Sequence, residues 1–206
     1  MTDHATLIPL DNVDPALVEA LLDRAFEPER RTRTAYKVRE GSEWLPALSF
    51  AAIDSAEHLV GTIQCWPVAL TGVGGDGSAR KHPLIMVGPV AVLPEAQGLG
   101  YGQALMSAAL AALDPRAPLP QVMIGDPEYY GRFWGFSNAH TGGWRSLTAP
   151  ASRSTAPATT FRLASFADSA PWPTVGIAPA RCRRSCGATA STCVSFRRGP
   201  KNRTAW

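Results

Sequence analysis

Three features are scarce in this 206-residue sequence: cysteine, long apolar runs and, in its last third, acidic side chains. Only Cys65 precedes position 180, which argues against a disulfide framework. No run of about 18 apolar residues occurs, so the sequence predicts no membrane-spanning helix. The first residues lack the basic and apolar regions of a signal peptide, and we therefore expect a cytoplasmic protein without a membrane partner.

The scarcity of acidic residues divides the chain into two parts. Residues 1–145 carry 11 Lys and Arg against 16 Asp and Glu, a net charge of −5. Residues 146–206 carry nine Lys and Arg and a single acidic residue, Asp168, a net charge of +8. This second part is rich in Ala, Ser, Thr and Pro without a helical or strand period, which predicts a disordered tail. We expect one folded domain over residues 1–145.

The tail raises three further hypotheses. Its composition begins abruptly after about Arg145, which suggests that a shifted reading frame encodes it; the gene's DNA sequence tests this. The spacing of Cys182, Cys186 and Cys193 matches no zinc site, so we expect no metal. The basic clusters favour non-specific attraction over a specific nucleic-acid partner, because the rest of the chain is negative.

Residues 1–145 contain alternating strand and helix patterns. Asp14-Pro15 predicts a helix N-cap followed by proline at the first helical position, and the helix is expected to end near Phe26. Gly88-Pro89 interrupts an apolar run, so we expect a break in strand pairing there. Residues 71–83 are glycine-rich and are expected to form a loop. Further helices are predicted at 30–40, 104–113 and 127–134, and strands at 5–10, 47–53, 58–69, 84–93 and 121–125.

One segment, VAVLPEAQGLGYG at residues 90–102, predicts a binding site. A buried strand leads into a glycine turn, and the turn opens a helix. The first N–H groups of a helix lack internal partners, and glycines allow a ligand to approach them closely, so an anion such as a pyrophosphate fits here. The segment satisfies neither the dinucleotide-binding G-x-G-x-x-G/A pattern nor the P-loop pattern.

Gln97, Gly100 and Gly102 fit the pattern Q/R-x-x-G-x-G/A, and V-x-V-x-P precedes it at Val90–Pro94. Downstream, residues 125–136 read GDPEYYGRFWGF. Together these motifs resemble the GCN5-related N-acetyltransferase (GNAT) superfamily, and in particular bacterial YhbS-like members with a YYGRFGF stretch. The resemblance covers roughly residues 5–144, and Trp134 is one residue more than that stretch contains.

The resemblance implies an α/β (α+β) GNAT fold: a mixed, mostly antiparallel sheet flanked by helices, with splayed central strands. It implies acetyl-CoA as co-substrate, without a metal. The pantetheine arm would pair with the edge of the strand that holds Val90, Ala91 and Val92. Backbone N–H groups of the turn would hold the pyrophosphate. The turn residues are Gln97, Gly98, Leu99, Gly100, Tyr101 and Gly102.

The resemblance also implies the chemistry. A substrate amine, on a small molecule or a protein, would attack the thioester directly, and a tyrosine on the last helix would protonate the departing thiolate. Tyr130 is the first candidate for this general acid and Tyr129 the second. Glu95, beside the turn, is expected to help set the turn. A non-catalytic acyl-CoA-binding or regulatory module is the alternative function, and both a monomer and a homodimer remain open.

Overall fold

We describe the fold from a computed structural model of the chain. The description includes short strands of the tail, the C-terminal segment 146–206, but not most of its residues. The described residues are 6–73, 78–114, 119–137, 144–146, 161–165 and 191–194.

Four helices and nine strands make up the described fold, together with short 3₁₀ turns between them. The helices are α1 (Pro15–Phe26), α2 (Thr34–Val38), α3 (Tyr101–Ala111) and α4 (Pro127–Trp134). The strands are β1 (Thr6–Pro9), β2 (Phe50–Ile53), β3 (Leu59–Val73), β4 (Ala79–Val92), β5 (Gln121–Ile124), β6 (Phe136–Ser137), β7 (Trp144–Ser146), β8 (Phe161–Ser165) and β9 (Ser191–Val194).

The strands form one mixed sheet. Its main order is β1-β2-β3-β4-β5-β9-β6, and the first four strands pair antiparallel. Strand β5 then pairs parallel to β4, as expected when a helix, here α3, connects two neighbouring strands. Strand β8 pairs antiparallel with β3, and β7 pairs parallel with β8.

Helices cover both faces of the sheet. Side chains alternate along β3 and β4, so Cys65 and Val87 join the core under α1 and α3, whereas Trp66 and Met86 join a second cluster beside α2. The larger cluster includes Leu22 of α1. This arrangement confirms the predicted α+β fold with a mixed sheet flanked by helices.

Local sequence signals set the helix ends. The Asp14 side chain accepts a hydrogen bond from the Ala16 N–H at 2.8 Å, which confirms the predicted N-cap of α1, and this helix ends at Phe26 as expected. At the end of α4, Gly135 adopts φ 72°, a left-handed conformation that glycine accepts without strain.

The structure corrects several expectations. The charged segment 30–40 forms only the short helix α2, preceded by a 3₁₀ turn. The glycine-rich segment 71–83 is largely strand, because β3 extends to Val73 and β4 begins at Ala79. Leu17 of α1 is 56% exposed, although helical spacing groups it with the buried Val18 and Leu21.

The C-terminal segment contains strands where its composition predicted none. Ser146 ends β7, and strands β8 and β9 lie wholly within the segment and pair with the sheet. Elsewhere the segment lies outside the described residues, so the predicted disorder and the shifted reading frame stay predictions. The same applies to the cysteine trio, of which only Cys193, in β9, is described.

Candidate active site

Strands β4 and β5 separate at the centre of the sheet. Only two residue pairs join them, Ile85 with Gln121 and Met86 with Val122. Beyond Met86, β4 continues to Val92 without a β5 partner, while the last residues of β5 pair with β9 on the other side. The two strands are parallel, so their C-terminal ends form the two sides of an open gap.

The break coincides with Gly88-Pro89. The β3–β4 register shifts between Ile63 and Cys65, opposite this dipeptide, and the peptide bond between Gly88 and Pro89 is cis. Proline has no N–H to donate to a ladder, which accounts for the expected break in pairing. The splay of the central strands is therefore confirmed in the described fold.

The edge of β4 that faces the gap is formed by Val90 and Val92. The Leu93 N–H donates to the Val60 carbonyl at 2.9 Å, so Leu93, and Ala91 two residues before it, point their backbone groups toward β3. Backbone groups alternate in direction along a strand, so those of Val90 and Val92 point into the gap. Ala91 is 1% exposed and packs in the core instead.

The glycine turn lies directly after this edge. Gly98 and Gly100 adopt φ 81° and 89°, so both positions need glycine for conformational reasons. Gly100 is the N-cap of α3, and no side chain caps this helix. The turn itself is exposed, and no acidic side chain occurs in its first helical turn. The helix dipole therefore presents its positive end to solvent without competition from a carboxylate.

Gly102 has a different environment. A Cβ built at this position would meet only Val92 Cγ2, at an ordinary contact distance of 3.6 Å. The chain itself therefore does not require a glycine here. The side of α3 beside the β4 edge is left open, as a ligand that approaches the helix backbone would need.

Other residues of the turn are placed as follows. Gln97 is exposed, and its side-chain amide donates to the Val92 carbonyl at 3.4 Å, which links the turn to the β4 edge. Leu99 is 62% exposed, whereas the Tyr101 ring is 2% exposed and belongs to the core. Tyr101 is the first residue of α3, and its backbone, not its buried ring, belongs to the turn.

Glu95 lies beside the turn and has a partner that the sequence does not reveal. The Arg24 guanidinium, in the last turn of α1, lies 2.6 Å from the Glu95 carboxylate, and both side chains are more than half exposed. A hydrogen bond with its own backbone N–H, and then the pairing with Arg24, lower the pKa of the Glu95 carboxyl. Residues 71 positions apart left no local signal of this contact.

The two tyrosines of α4 follow β5, the strand on the other side of the gap. Asp126 caps this helix, since its side chain accepts from the Glu128 N–H at 2.9 Å. Tyr130 is 5% exposed, and a Cβ at Gly125 would come within 2.6 Å of its ring. Gly125 directly follows β5, so the ring of Tyr130 lies against the C-terminal end of that strand.

Tyr129 is placed differently. It is 39% exposed, and its ring lies edge-on to that of Tyr130 with centroids 5.1 Å apart. Phe133 and Trp134 complete an aromatic cluster around it. Of the two candidate acids, Tyr130 therefore lies in the same core as Tyr101 at the start of α3, and Tyr129 lies at the surface.

Comparisons with known proteins agree with this geometry. The model of the acetyltransferase (GNAT) family matches residues 16–117, which include the β4 edge, the glycine turn and α3. The chain belongs to the GNAT acetyltransferase family. This assignment confirms the resemblance stated from the motifs, and it makes the chain an acetyltransferase by class.

Solved structures include similar GNAT proteins. A GNAT family N-acetyltransferase, YhbS from Escherichia coli, solved in complex with CoA, is 25% identical with a TM-score of 0.52, and the match covers 80% of this chain and 82% of that one. A GNAT acetyltransferase from Brucella melitensis, solved with acetyl-CoA, is 26% identical with a TM-score of 0.44 and coverages of 65% and 83%. A comparison with curated proteins found no match.

The described residues contain neither a cluster of metal ligands nor an apolar helix of membrane-spanning length. No group of three or more His, Cys, Asp or Glu side chains in that part of the chain is arranged to hold a metal ion. Among the same residues, no helix combines the length and apolar character needed to cross a bilayer.

Proposed function

We propose that this GNAT protein transfers an acetyl group from acetyl-CoA to an amine by direct attack. The observation that carries the proposal is the gap between β4 and β5, which opens beside the glycine turn of α3. A cofactor with a pyrophosphate and an extended arm matches these two features: the turn suits the pyrophosphate, and the gap suits the arm. The E. coli relative with bound CoA supports the choice of cofactor.

The backbone would hold the cofactor at two places. N–H groups between Gln97 and Gly102 would bind the pyrophosphate, helped by the exposed positive end of the α3 dipole. From there the pantetheine arm would run along β4 and pair with Val92 and then Val90, as an added strand does. The arm thus runs opposite to the chain direction, and its acyl end comes to lie near Gly88-Pro89.

The reaction needs no covalent enzyme intermediate. The lone pair of the acceptor nitrogen attacks the thioester carbonyl carbon, and a backbone N–H of the β4 edge polarises the carbonyl oxygen. The carbon–sulfur bond then breaks, the nitrogen loses its proton to water, and the thiolate takes one from a tyrosine hydroxyl. Tyr130 is the first candidate for this donor, because it lies at the end of β5 that borders the gap.

A second function, a non-catalytic acyl-CoA-binding module, is favoured by one observation. The Tyr130 ring is enclosed by Gly125, Trp134 and Phe136, as a purely structural aromatic residue would be. Both functions share the cofactor site and differ only in turnover.

A thermal melt with acetyl-CoA, and with NADH as the control dinucleotide, tests the shared site. At 100 times its dissociation constant a ligand adds about 2.7 kcal/mol, which raises the Tm of a chain this size by roughly 5–10 °C. Release of CoA with a panel of amines then separates the two functions. A shift with both acetyl-CoA and NADH, or with neither, would contradict the cofactor assignment.

A further inference from the structure

Two buried side chains with polar groups, Arg39 and Trp66, lie on the face of the sheet opposite α3. Arg39 follows α2 and is 5% exposed, and Trp66 on β3 is 9% exposed. The Arg39 guanidinium carbon lies 3.8 Å from the centroid of the Tyr36 ring and 4.5 Å from that of Trp66. The guanidinium is therefore held against two aromatic rings.

Neither side chain satisfies all its donors. Arg39 Nη1 and Trp66 Nε1 are both buried, and each lacks a hydrogen-bond partner in the structure, as far as the described residues show. Buried donors of native proteins almost always have a partner, so two unpaired donors close together call for an acceptor that the described residues do not supply. One of the two carries a full positive charge, which favours an anionic acceptor.

The carboxylates of Glu19 and Asp23 pair with another arginine and not with Arg39. Glu19 and Asp23 lie 2.5 and 2.7 Å from Arg30, another buried arginine, and the Arg30 guanidinium also donates to the Tyr36 hydroxyl. Burial lowers the pKa of Arg39, and the charge of Arg30 acts in the same direction, whereas Tyr36 and Glu19 act in the opposite direction. Glu19 and Asp23 are thus paired with Arg30, and the described residues show no carboxylate in an ion pair with Arg39.

The position of the two donors connects them with the reaction. Trp66 is the β3 partner of Met86, and Met86 is the last β4 residue that pairs with β5. Trp66 therefore stands where the gap begins. The acyl end of the cofactor is placed at Gly88-Pro89, two to three residues further along β4, in the proposed function above.

We propose that Arg39 and Trp66 bind a carboxylate of the acceptor, so that the substrate class is a small amine that also carries a carboxylate. The inference rests on the proposed function for the identity of the second substrate. A carboxylate offers two acceptor oxygens, one for each unpaired donor, and its charge matches that of Arg39. Because both donors are enclosed, the side chains around them must move when the acceptor enters.

Matched substrates test the proposal. The full chain is assayed for CoA release with glycine, β-alanine, 4-aminobutanoate and L-phenylalanine, and with the carboxamide of each. At least one carboxylate should be preferred over its carboxamide by about 10-fold or more in kcat/KM, as hydrogen bonds to a charged group predict. Equal use of carboxylates and carboxamides would overturn the proposal.

Matched variants locate the effect. Trp66→Phe removes the indole N–H and keeps an aromatic ring beside Arg39, and it should raise the KM for the preferred carboxylate by about 10-fold while the KM for acetyl-CoA stays unchanged. Arg39→Met should do the same more strongly. Trp44→Phe is the control, because Trp44 packs edge-on to Trp66 but donates to Asp11. A loss as large in Trp44→Phe would assign the effect to packing.

A binding measurement keeps the two proposals separate. Melts with CoA present are repeated with millimolar carboxylates and their carboxamides, for the wild type and for Trp66→Phe. A stabilisation by a carboxylate alone, lost in Trp66→Phe, supports the carboxylate site even if no acceptor is acetylated. Absence of such a difference would overturn the site, whatever the turnover, whereas failure of acetyl-CoA to bind would overturn the proposed function alone.

Discussion

Individual residues of the glycine turn have separate reasons to be glycine. Gly98 and Gly100 have positive φ, and side chains other than glycine are strained there. Gly102 has no such conformation, and among the described residues a Cβ there would meet only Val92 Cγ2, at 3.6 Å, so under the proposed function the ligand is the reason for glycine. The pattern Q/R-x-x-G-x-G/A therefore combines a backbone requirement with a requirement for space.

Alanine substitutions should separate these two requirements. Gly102→Ala is expected to leave the free energy of unfolding unchanged or raise it by up to about 1 kcal/mol, since alanine favours helix, while it weakens acetyl-CoA binding about 10-fold or more. Gly100→Ala should instead cost about 1–2 kcal/mol of stability. Urea unfolding and titration calorimetry measure both quantities, and unchanged affinity of Gly102→Ala would contradict the assignment of its surroundings to the ligand.

The two tyrosines of α4 offer a second residue-scale comparison. Tyr130→Phe removes only the hydroxyl from a ring that stays packed against Gly125, and kcat is expected to fall by about 100-fold if that hydroxyl protonates the thiolate. Tyr129→Phe should change kcat less than about threefold, because its ring is partly exposed. Steady-state CoA release gives both values, and equal rates for wild type and Tyr130→Phe would remove Tyr130 from the reaction.

At the scale of elements, two helices hold the two sides of the gap. Helix α3 begins at the turn on the β4 side, and α4 places Tyr130 at the end of β5. The Arg24–Glu95 pair joins the end of α1 to the turn as well. The start of α3 and the capped helix α4 thus position the groups that the proposed reaction uses.

Removal of the aspartate caps tests this view. Asp14→Ala and Asp126→Ala each delete a side-chain cap of similar geometry and should each cost about 0.5–2 kcal/mol of stability. Only Asp126→Ala should also lower kcat at temperatures where both variants are folded, since α4 carries Tyr130. Urea unfolding and activity assays of both variants test this expectation. Similar kcat values in the two variants would contradict a role of α4 in positioning Tyr130.

At the scale of the whole molecule, strand β9 completes the sheet. It pairs parallel with β5 through Val122, Met123 and Ile124, and β6 pairs with it on the other side. Strand β6 therefore joins the rest of the sheet through β9, residues 191–194. A chain ending at Ser146 would leave the outer edge of β5 unpaired and β6 without this neighbour.

We expect the chain that ends at Ser146 to be less stable than the full chain. A loss of about 2 kcal/mol would lower its Tm by roughly 4–8 °C, and an open strand edge would promote aggregation. Calorimetry and light scattering of the two chains provide the comparison. An unchanged Tm would favour the dispensable, disordered tail that the composition predicts.

The pH dependence of stability has one identifiable alkaline contribution. Burial raises the pKa of the Cys65 thiol to about 12, from an ordinary value of 9.0. Between these values the unfolded chain loses the thiol proton and the folded chain keeps it, so stability falls as the pH rises through this range. In urea unfolding from pH 8 to about 11, the stability of Cys65→Ala should fall less steeply with pH than that of the wild type. Parallel curves would contradict the contribution of the Cys65 thiol.

Much of the fold follows from local patterns in the sequence. Asp14-Pro15 determined where α1 begins, Gly88-Pro89 where strand pairing breaks, and residues 90–102 the strand, turn and helix that led to the family. These features depend on neighbouring residues, whose conformational preferences act without help from distant parts of the chain.

Only the tertiary structure decided contacts between distant segments. It brought Arg24 to Glu95 and Arg39 to Trp66, buried Tyr130 while it left Tyr129 exposed, and extended the sheet into a tail whose composition predicted no strand. Each outcome depends on which surfaces pack against each other and on which donors find partners. Such pairings join residues without any fixed spacing in sequence, and so no local pattern specifies them.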